Sequence, residues 1–249
     1  MKIKQVFNWQ VALGVIFIAL SASVYYIHYL IFRDARHIFI YLIGDIGFVF
    51  LEVFLVTLLV HNLLAYREKQ ALFKKMNMVI GAFFSEVGRQ LIKSCIAFDP
   101  ESNVIARKLL VRAEWTDSQF KLLQKDIANF SYAIDYKRGD LIGMKDFLAE
   151  KRDFLLTLLE NQNLLEHESF TDLLWAVFHL TEELEGRRDL SNLPQSDYEH
   201  LANDLKRAYR QLVRQWVFYM KHLKTDYPYL FSLAMRTNPF DVQAAIEVR

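Results

Sequence analysis

Two apolar stretches near the N-terminus decide the fold class: VALGVIFIALSASVYYIHYLIF at residues 11–32 and IFIYLIGDIGFVFLEVFLVTLLVHNLL at residues 38–64. The first contains no Asp, Glu, Lys or Arg, and the second contains only Asp45 and Glu52 from this group. At about 1.5 Å per helical residue, the first stretch extends about 33 Å, enough to cross a hydrocarbon core of about 30 Å. Both stretches are therefore predicted to be transmembrane helices.

A short charged connection, residues 33–37, separates the two stretches. A link of this length forces the helices it joins to run antiparallel, as a hairpin. Aromatic side chains favour membrane–water interfaces, and several lie near the two ends of the first stretch. They are Trp9, Tyr25, Tyr26 and Tyr29. We predict a hairpin domain at residues 1–66 with helices at about 9–32 and 38–64.

A cleaved signal peptide is the competing interpretation of the first stretch. Lys2 and Lys4 precede its apolar core, and residues 21–23 are small enough for a cleavage site. However, the apolar run continues to Phe32, whereas the apolar core of a signal peptide has only about 7–15 residues. We therefore expect a retained anchor.

Basic residues around the two spans predict their orientation. Two spans place the N-terminus and the segment after residue 64 on one side, which is richer in Lys and Arg than the loop with Arg33 and Arg36. The basic residues on that side are Lys2, Lys4, Arg67, Lys69, Lys74 and Lys75. The positive-inside rule then predicts a multi-pass protein of the inner or plasma membrane with both termini in the cytoplasm. The single Cys95 fits a reducing compartment.

The rest of the chain predicts a cytoplasmic helical bundle, which makes the fold all-α. Eight Gly and four Pro in 249 residues provide few turns for an all-β fold. Residues 67–98 are predicted to continue the second span as an amphipathic helix that ends before Pro100, because apolar residues recur there at helical spacing. Residues 99–249 are predicted to form the bundle.

Capping residues and loop signals predict the helices of this bundle. Helices are expected to begin at Thr116 or Asp117, at Ser169 or Thr171, and at Ser196 or Asp197. A single helix is expected over residues 141–159, and residues 186–194 form the clearest loop.

The composition of the bundle argues against several functions. Acidic and basic residues balance from residue 67 onwards, so a nucleic-acid partner is not expected. The glycines are well spread, and neither a phosphate-binding loop nor a Gly-x-Ser-x-Gly motif is present. Cys95 lies in an apolar helical pattern and is expected to be a buried small hydrophobe rather than a nucleophile. We therefore expect no enzyme and no cofactor.

The one metal-like spacing lies around His179, with Glu182 and Glu183 three and four residues further on. A metal site in a helical bundle needs matching ligands on another helix, and no comparable spacing stands out. His179 is expected at the polar edge of an amphipathic helix, with both glutamates on its solvated face. Glu199 and His200 are also expected to be exposed, so the sequence predicts no metal site.

The acids within the second span are a sharper signal. An ionisable carboxyl near the middle of a bilayer costs about 2.5–3.5 kcal/mol on insertion scales. Asp45 and Glu52 are seven residues apart and so lie on one helical face. Folding the hairpin places His28 near Tyr41, one turn from Asp45, so His28 and Asp45 could pair. The residues of the first span that are level with Glu52 are apolar, which leaves it without a partner in its own hairpin.

Small residues mark two surfaces where helices could approach closely. Gly44 and Gly47 flank Asp45 and would let helices from different chains come together. Gly81, Ser85 and Gly88 form a second stripe, for which helix approach and ordinary core packing both remain open.

Two functions are consistent with these patterns. In the first, the protein is a homo-oligomer in the lipid bilayer, and Asp45 and Glu52 line a cation path that the cytoplasmic domain gates or assembles. In the second, the acids only hold helices together, and the hairpin anchors an interaction, scaffold or sensor module that binds a cytoplasmic protein.

Overall fold

The computed structural model describes residues 2–161, 164 and 167–247, and all regular structure in these ranges is helical. They contain ten α-helices and one π-helical turn, and no strand. The chain divides into two compact units, Met1–Lys69 and Gln70–Arg249. The all-α class, with two long apolar N-terminal helices before a helical domain, is confirmed. The predicted domain ends at residues 1 and 249 lie outside the described residues.

The N-terminal unit contains helix α1, Lys2–Phe32, and the first part of helix α2, Ala35–Phe83. Arg33 ends α1 in the left-handed region, with φ 49°. Asp34 then caps α2, because its Oδ1 accepts hydrogen bonds from the backbone N–H groups of Arg36 (2.9 Å) and His37 (3.2 Å). This cap explains why α2 begins at Ala35, before the apolar run itself.

Both helices are long and apolar enough to cross a membrane. The candidate spans are Val11–Phe32, with mean hydropathy 1.9, and Ala35–Gln70, with mean hydropathy 2.3. None of the most apolar window of either span is buried within the chain. The apolar side chains of the N-terminal unit are therefore available to lipid or to another chain. The side chains of Lys2, Lys4, Lys74 and Lys75, which enter the orientation prediction, lie outside the described part of the structure.

The second unit begins within α2 and continues through a π-helical turn, Phe84–Gly88, into helix α3. The later helices are α3 Arg89–Phe98, α4 Ser102–Leu109, α5 Asp117–Ala128, α6 Leu141–Glu150, α7 Arg152–Leu159, α8 Glu168–Glu185, α9 Gln195–Asp226 and α10 Pro228–Arg236. Helix α9 is central, because it packs against α3, α5, α8 and α10.

Aromatic side chains fill the core around α9. Trp216 is fully buried, and the ring of Phe84 meets it edge-on with 5.3 Å between centroids. Phe83 meets Phe170 of α8 in the same way at 5.5 Å. Such edge-to-face pairs contribute about 0.5–1.5 kcal/mol each beyond their burial. The end of α2 is therefore held in the core by adjacent aromatic residues.

Several helix boundaries follow the sequence signals. Thr116 caps α5 in a capping box with Gln119, as predicted. Helix α8 begins one residue before the predicted Ser169, because the His167 imidazole accepts from the backbone N–H of Phe170. The predicted helix at residues 141–159 is instead two helices, which meet at Lys151 with φ −91° and ψ 1°. Helix α10 was not predicted, although it begins at Pro228, and proline favours the first helical position.

The stripe of Gly81, Ser85 and Gly88 does not form one surface. A Cβ on Gly81 would lie 3.6 Å from the Tyr219 ring of α9, and one on Gly88 would meet the rings of Phe83 and Phe84 at 2.9 and 2.5 Å. Ser85 is exposed. The π-helical turn adds a residue to this part of the helix and so breaks the α-helical spacing. Both glycines serve packing inside the second unit.

Candidate metal centre

Helices α8 and α9 bring together four side chains with nitrogen or oxygen ligand atoms. His179 and Glu183 are one turn apart on α8, and His200 and Asp204 are one turn apart on α9. Since residues four apart share a helical face, each helix presents one imidazole and one carboxylate. The two helices run antiparallel on either side of the loop at residues 186–194, so that Glu183 faces His200 and His179 faces Asp204.

The four ligand atoms lie within 4.8 Å of one another. The Nε2 atom of His200 is 3.3 Å from Asp204 Oδ2 and 3.5 Å from Glu183 Oε2. The Nε2 atom of His179 is 3.5 Å from the same Asp204 oxygen and 3.8 Å from Glu183 Oε1.

These separations fit a tetrahedral metal site. Zinc binds imidazole nitrogen and carboxylate oxygen at about 2.0–2.2 Å, which places neighbouring ligand atoms of a tetrahedron about 3.3–3.6 Å apart. Three of the four distances between an imidazole and a carboxylate lie in this range, and the His179–Glu183 distance, to the other Glu183 oxygen, is 0.2 Å above its upper limit. Separations within the set extend up to 4.8 Å, so a bound ion would have to draw these side chains closer together. Two imidazoles with two carboxylates suit first-row divalent ions such as Zn²⁺.

Asp204 is the innermost member of the set. Its residue is only 2% exposed, and Oδ2 is a buried oxygen without a hydrogen-bond donor among the described residues. The two imidazole Nε2 atoms lie close enough for ion pairs if they are protonated, but they form no hydrogen bond to it. A buried carboxylate oxygen that accepts no hydrogen bond is costly. A cation at the centre of the set would neutralise this oxygen.

Neighbouring charges orient the carboxylates. Arg187 donates a hydrogen bond from Nη1 to Glu183 Oε2 at 2.7 Å. Its Nε and Nη2 atoms donate to the two carboxylate oxygens of Asp197. Arg207 Nη1 lies 3.4 Å from Asp204 Oδ1. Contacts of this kind around a metal site fix the orientation of its ligands.

Arg187 also keeps Glu183 ionised. The hydrogen bond from Arg187 is the main cause that lowers the pKa of Glu183 below its usual range, and the charges of Arg187, His200 and His179 act in the same direction. A deprotonated carboxylate is the form that binds a metal.

Access from solvent is open on the histidine side. The side chains of His179 and His200 are 42% and 52% exposed, whereas that of Asp204 is 3% exposed. An ion can therefore enter past the two imidazoles and reach the buried carboxylate.

The predicted exposure agrees with the structure for Glu182, Glu199 and His200, which are exposed, whereas His179 and Glu183 are half-buried. The sequence predicted no matching ligands on another helix, but His179, Glu183, His200 and the buried Asp204 lie together. The signal that was missed is the repeat of His-x-x-x-Glu on α8 and His-x-x-x-Asp on α9, on either side of a short loop. The motif alone is not specific, because His222 and Asp226 share it and simply pair at 2.8 Å.

The polar residues predicted to face one another in the two spans differ in their contacts. The His28 ring stacks on His37 at 5.8 Å between centroids, and His37 contacts Tyr41 at 4.6 Å. The His37 ring therefore contacts both His28 and Tyr41, and no ion pair joins His28 to Asp45 within the described residues. Asp45 and Glu52 are exposed there without a side-chain partner. Open space surrounds Gly44 and Gly47, where an added Cβ would meet nothing within 4 Å.

Together these features define a class of all-α protein, in which two long apolar N-terminal helices precede a helical domain with a cluster of four possible metal ligands. The chain belongs to the MJ1433 family. Residues 2–64 match "MJ1433, N-terminal helical domain", and residues 72–236 match "Uncharacterized protein MJ1433, C-terminal helical domain". The structure divides the chain between Lys69 and Gln70, within the segment 65–71 that separates the two matches.

The family assignment also rests on a full-length relative. The chain is 44% identical over 239 residues to "Uncharacterized protein MJ1433" of Methanocaldococcus jannaschii, and the alignment covers 96% of each chain. No solved structure matches this chain.

Proposed function

We propose that this protein is a membrane-anchored metal-binding module without an enzymatic role. Its two N-terminal helices hold the helical domain at the cytoplasmic face of the inner or plasma membrane. The domain binds one divalent transition-metal ion, Zn²⁺ being the best fit, through His179, Glu183, His200 and Asp204. The observation that carries the proposal is the buried Asp204 Oδ2 atom, which accepts no hydrogen bond among the described residues and lies within 4.8 Å of three further ligand atoms.

The arrangement of ligands supports a sensing role. Each of two helices provides two ligands, so a bound ion would clamp α8 against α9. Any ligand that binds only the folded form stabilises it in proportion to the logarithm of its concentration. The domain would therefore report the concentration of the metal through its own stability, and a protein partner could read that state.

Metal content tests this proposal directly. The full chain, purified in detergent, stripped with EDTA and dialysed against Zn²⁺, is expected to retain about one ion per chain by elemental analysis. His200→Ala is expected to lose this ion, because one of four ligands is missing. Arg187→Gln, which removes no ligand but releases the carboxylates of Glu183 and Asp197, is expected to weaken Zn²⁺ binding by about 10–100-fold.

His222→Ala is the matched control for His200→Ala. His222 lies on the same helix in the same His-x-x-x-Asp spacing, but it pairs with Asp226 and lies outside the cluster. Its removal is expected to leave the Zn²⁺ content unchanged. Equal losses in both variants, or a parent chain that retains no ion, would refute the metal site.

The proposed orientation predicts the outcome of reporter fusions. A reporter that is active only outside the cytoplasm is expected to be silent after the C-terminal residue and active when inserted at Ala35, between the two spans. The opposite pattern would place the helical domain outside the cell.

One observation favours a second function, a cation path through a homo-oligomer. Asp45 and Glu52 are exposed on one face of α2, with no side-chain partner in the described residues and with open space beside Gly44 and Gly47. A second copy of the chain could cover this face and enclose the acids. Rings of acidic side chains are one way in which oligomeric channels select cations.

Glu52→Gln separates a path from a purely structural role. It keeps the size and hydrogen-bonding capacity of the side chain, so assembly is expected to persist, since hydrogen bonds within membranes contribute only about 1–2 kcal/mol. If the carboxylates select cations, cation flux into proteoliposomes is expected to fall. A parent chain with no flux under any ion gradient, or Glu52→Gln and Glu52→Leu variants with unchanged flux, would leave the anchored module alone.

A further inference from the structure

A second surface of the helical domain lies beside the metal cluster. Helices α5 and α9 line a groove of about 1060 Å³, just above the usual range of about 300–1,000 Å³ for small-molecule sites. It is lined by Gln124, Lys125, Ile127, Ala128, His200, Asn203, Asp204, Lys206, Arg207, Arg210, Gln211, Arg214 and Phe218. Two of these residues, His200 and Asp204, also belong to the metal cluster.

The groove carries a strong excess of positive charge. Lys125 lies on α5, while α9 contributes Lys206, Arg207, Arg210 and Arg214, and the single acid of the lining is Asp204. Arg207 approaches Asp204, whereas the other four cations have no ion-pair partner in the described part of the chain. The balanced charge of the whole domain therefore conceals a concentrated patch.

The like charges of this patch lower the stability of α9. Lys206 and Arg210 are four residues apart, as are Arg210 and Arg214, and like charges at this spacing destabilise a helix by about 0.2–0.5 kcal/mol per pair. No acid among the groove-lining residues near these pairs offsets the repulsion. An anionic ligand in the groove would do so.

The chemistry of the lining indicates the kind of anion. Arginine presents a planar fork of N–H donors that matches phosphate oxygens in pairs, and three of the five cations are arginines. Ile127, Ala128 and Phe218 add apolar surface for the uncharged part of a ligand, and the amides of Gln124, Asn203 and Gln211 add hydrogen-bonding groups. The length of the cationic row favours a ligand with more than one phosphoryl oxygen group.

We propose that the groove between α5 and α9 binds a phosphoryl-bearing small molecule, whose phosphate groups lie along Arg207, Arg210 and Arg214. Because His200 and Asp204 also line the groove, one phosphate oxygen of the ligand reaches the metal ion and adds to its four protein ligands as a fifth. This last contact rests on the proposed metal site, whereas binding along the arginines does not.

Calorimetric titration of the full chain in detergent tests the groove. The probes are inorganic pyrophosphate and soluble dihexanoylphosphatidylglycerol, which separate a free phosphate source from a lipid headgroup. The double variant Arg210→Gln/Arg214→Gln is expected to weaken binding of the active probe by at least about tenfold, since hydrogen bonds to charged groups are the strong ones. Its Zn²⁺ content is expected to equal that of the parent chain.

Lys121→Gln/Arg188→Gln is the matched control, because it removes the same charge from two exposed positions outside the groove. It is expected to bind both probes like the parent chain. Binding of either probe that depends on Arg210 and Arg214 supports the proposal and identifies the source of the phosphate. Binding of neither probe, or equal weakening in the two double variants, would overturn it.

The contact between the phosphate and the metal ion is tested by a separate measurement, the effect of Zn²⁺ on pyrophosphate binding. Zn²⁺ loading is expected to tighten pyrophosphate binding in the parent chain and to have no effect in Asp204→Asn. If the chain binds no Zn²⁺ but pyrophosphate binding still depends on the arginines, the metal site fails and the groove stands. If Zn²⁺ binds but pyrophosphate binding is the same with and without it, the contact between phosphate and metal is overturned.

Discussion

In EDTA, the Asp204→Asn variant of the full chain is expected to unfold at a higher temperature than the parent chain, and in excess Zn²⁺ at a lower one. Without metal, the substitution replaces a buried carboxylate that has no hydrogen-bond donor with a neutral amide. Relief of such a group is worth about 1–3 kcal/mol of unfolding free energy. With metal, the parent chain gains about 4 kcal/mol at free Zn²⁺ 1,000-fold above its dissociation constant, and the variant gains none.

The difference in unfolding temperature between variant and parent is expected to change sign when Zn²⁺ is added. This change distinguishes a metal ligand from an acid that only stabilises the fold. The helical signal in circular dichroism, recorded in the same buffer with EDTA and with Zn²⁺, measures both transitions. Asp126→Asn is the control, since Asp126 pairs with Lys108 on the surface and is 39% exposed. A lower unfolding temperature of Asp204→Asn under both conditions would show that Asp204 only stabilises the fold.

Truncation of Trp216 is expected to cause the largest loss of stability in the helical domain. Trp216 is fully buried in α9 and contacts Phe84 and Tyr219. Replacement of a buried Trp with Ala typically costs about 3–5 kcal/mol, because the cavity closes only in part. The midpoint of denaturant unfolding, followed by circular dichroism, measures the loss.

Two companion variants make this prediction specific. Trp216→Phe is expected to cost much less than the alanine variant, because it keeps most of the ring and removes a buried Nε1–H that has no acceptor among the described residues. Trp175→Ala makes the same truncation on α8 at a position that is 57% exposed, and it is expected to change stability little. Equal losses at Trp175 and Trp216 would contradict the central position of α9 in the core.

The parts of the fold that could be predicted are those that depend on neighbouring residues. The apolar runs determine the two long N-terminal helices, and Thr116 with Gln119 determines the start of α5. The break at Lys151 has no such signal, because no Gly or Pro marks it. The π-helical turn likewise could not be read from a pattern with a fixed helical spacing.

The four possible metal ligands come together through the register of α8 against α9. This register could not be predicted from the sequence. Four-residue spacing places His179 with Glu183 and His200 with Asp204, but only the packing of α8 on α9 brings the two pairs together. One clue was local, because Asp204 lies on the apolar face of α9 with Leu201 and Leu205, where a buried acid is unusual. The cationic groove could not be predicted for a different reason, because the net charge of the domain does not show how its charges are distributed over the surface.

Helix α9 has a mechanical consequence. It runs from Gln195 to Asp226 without a Gly or Pro, so it contains none of the usual points at which a helix bends. Asp204 and Tyr219 lie about 22 Å apart along it, at about 1.5 Å per residue. Toward the C-terminal end of α9, the Tyr219 ring lies beside Gly81 of α2, 3.6 Å from where a Cβ would lie, and α2 also contains the second candidate span. A displacement of α9 near Asp204 would therefore be transmitted along a rigid helix to its packing against α2.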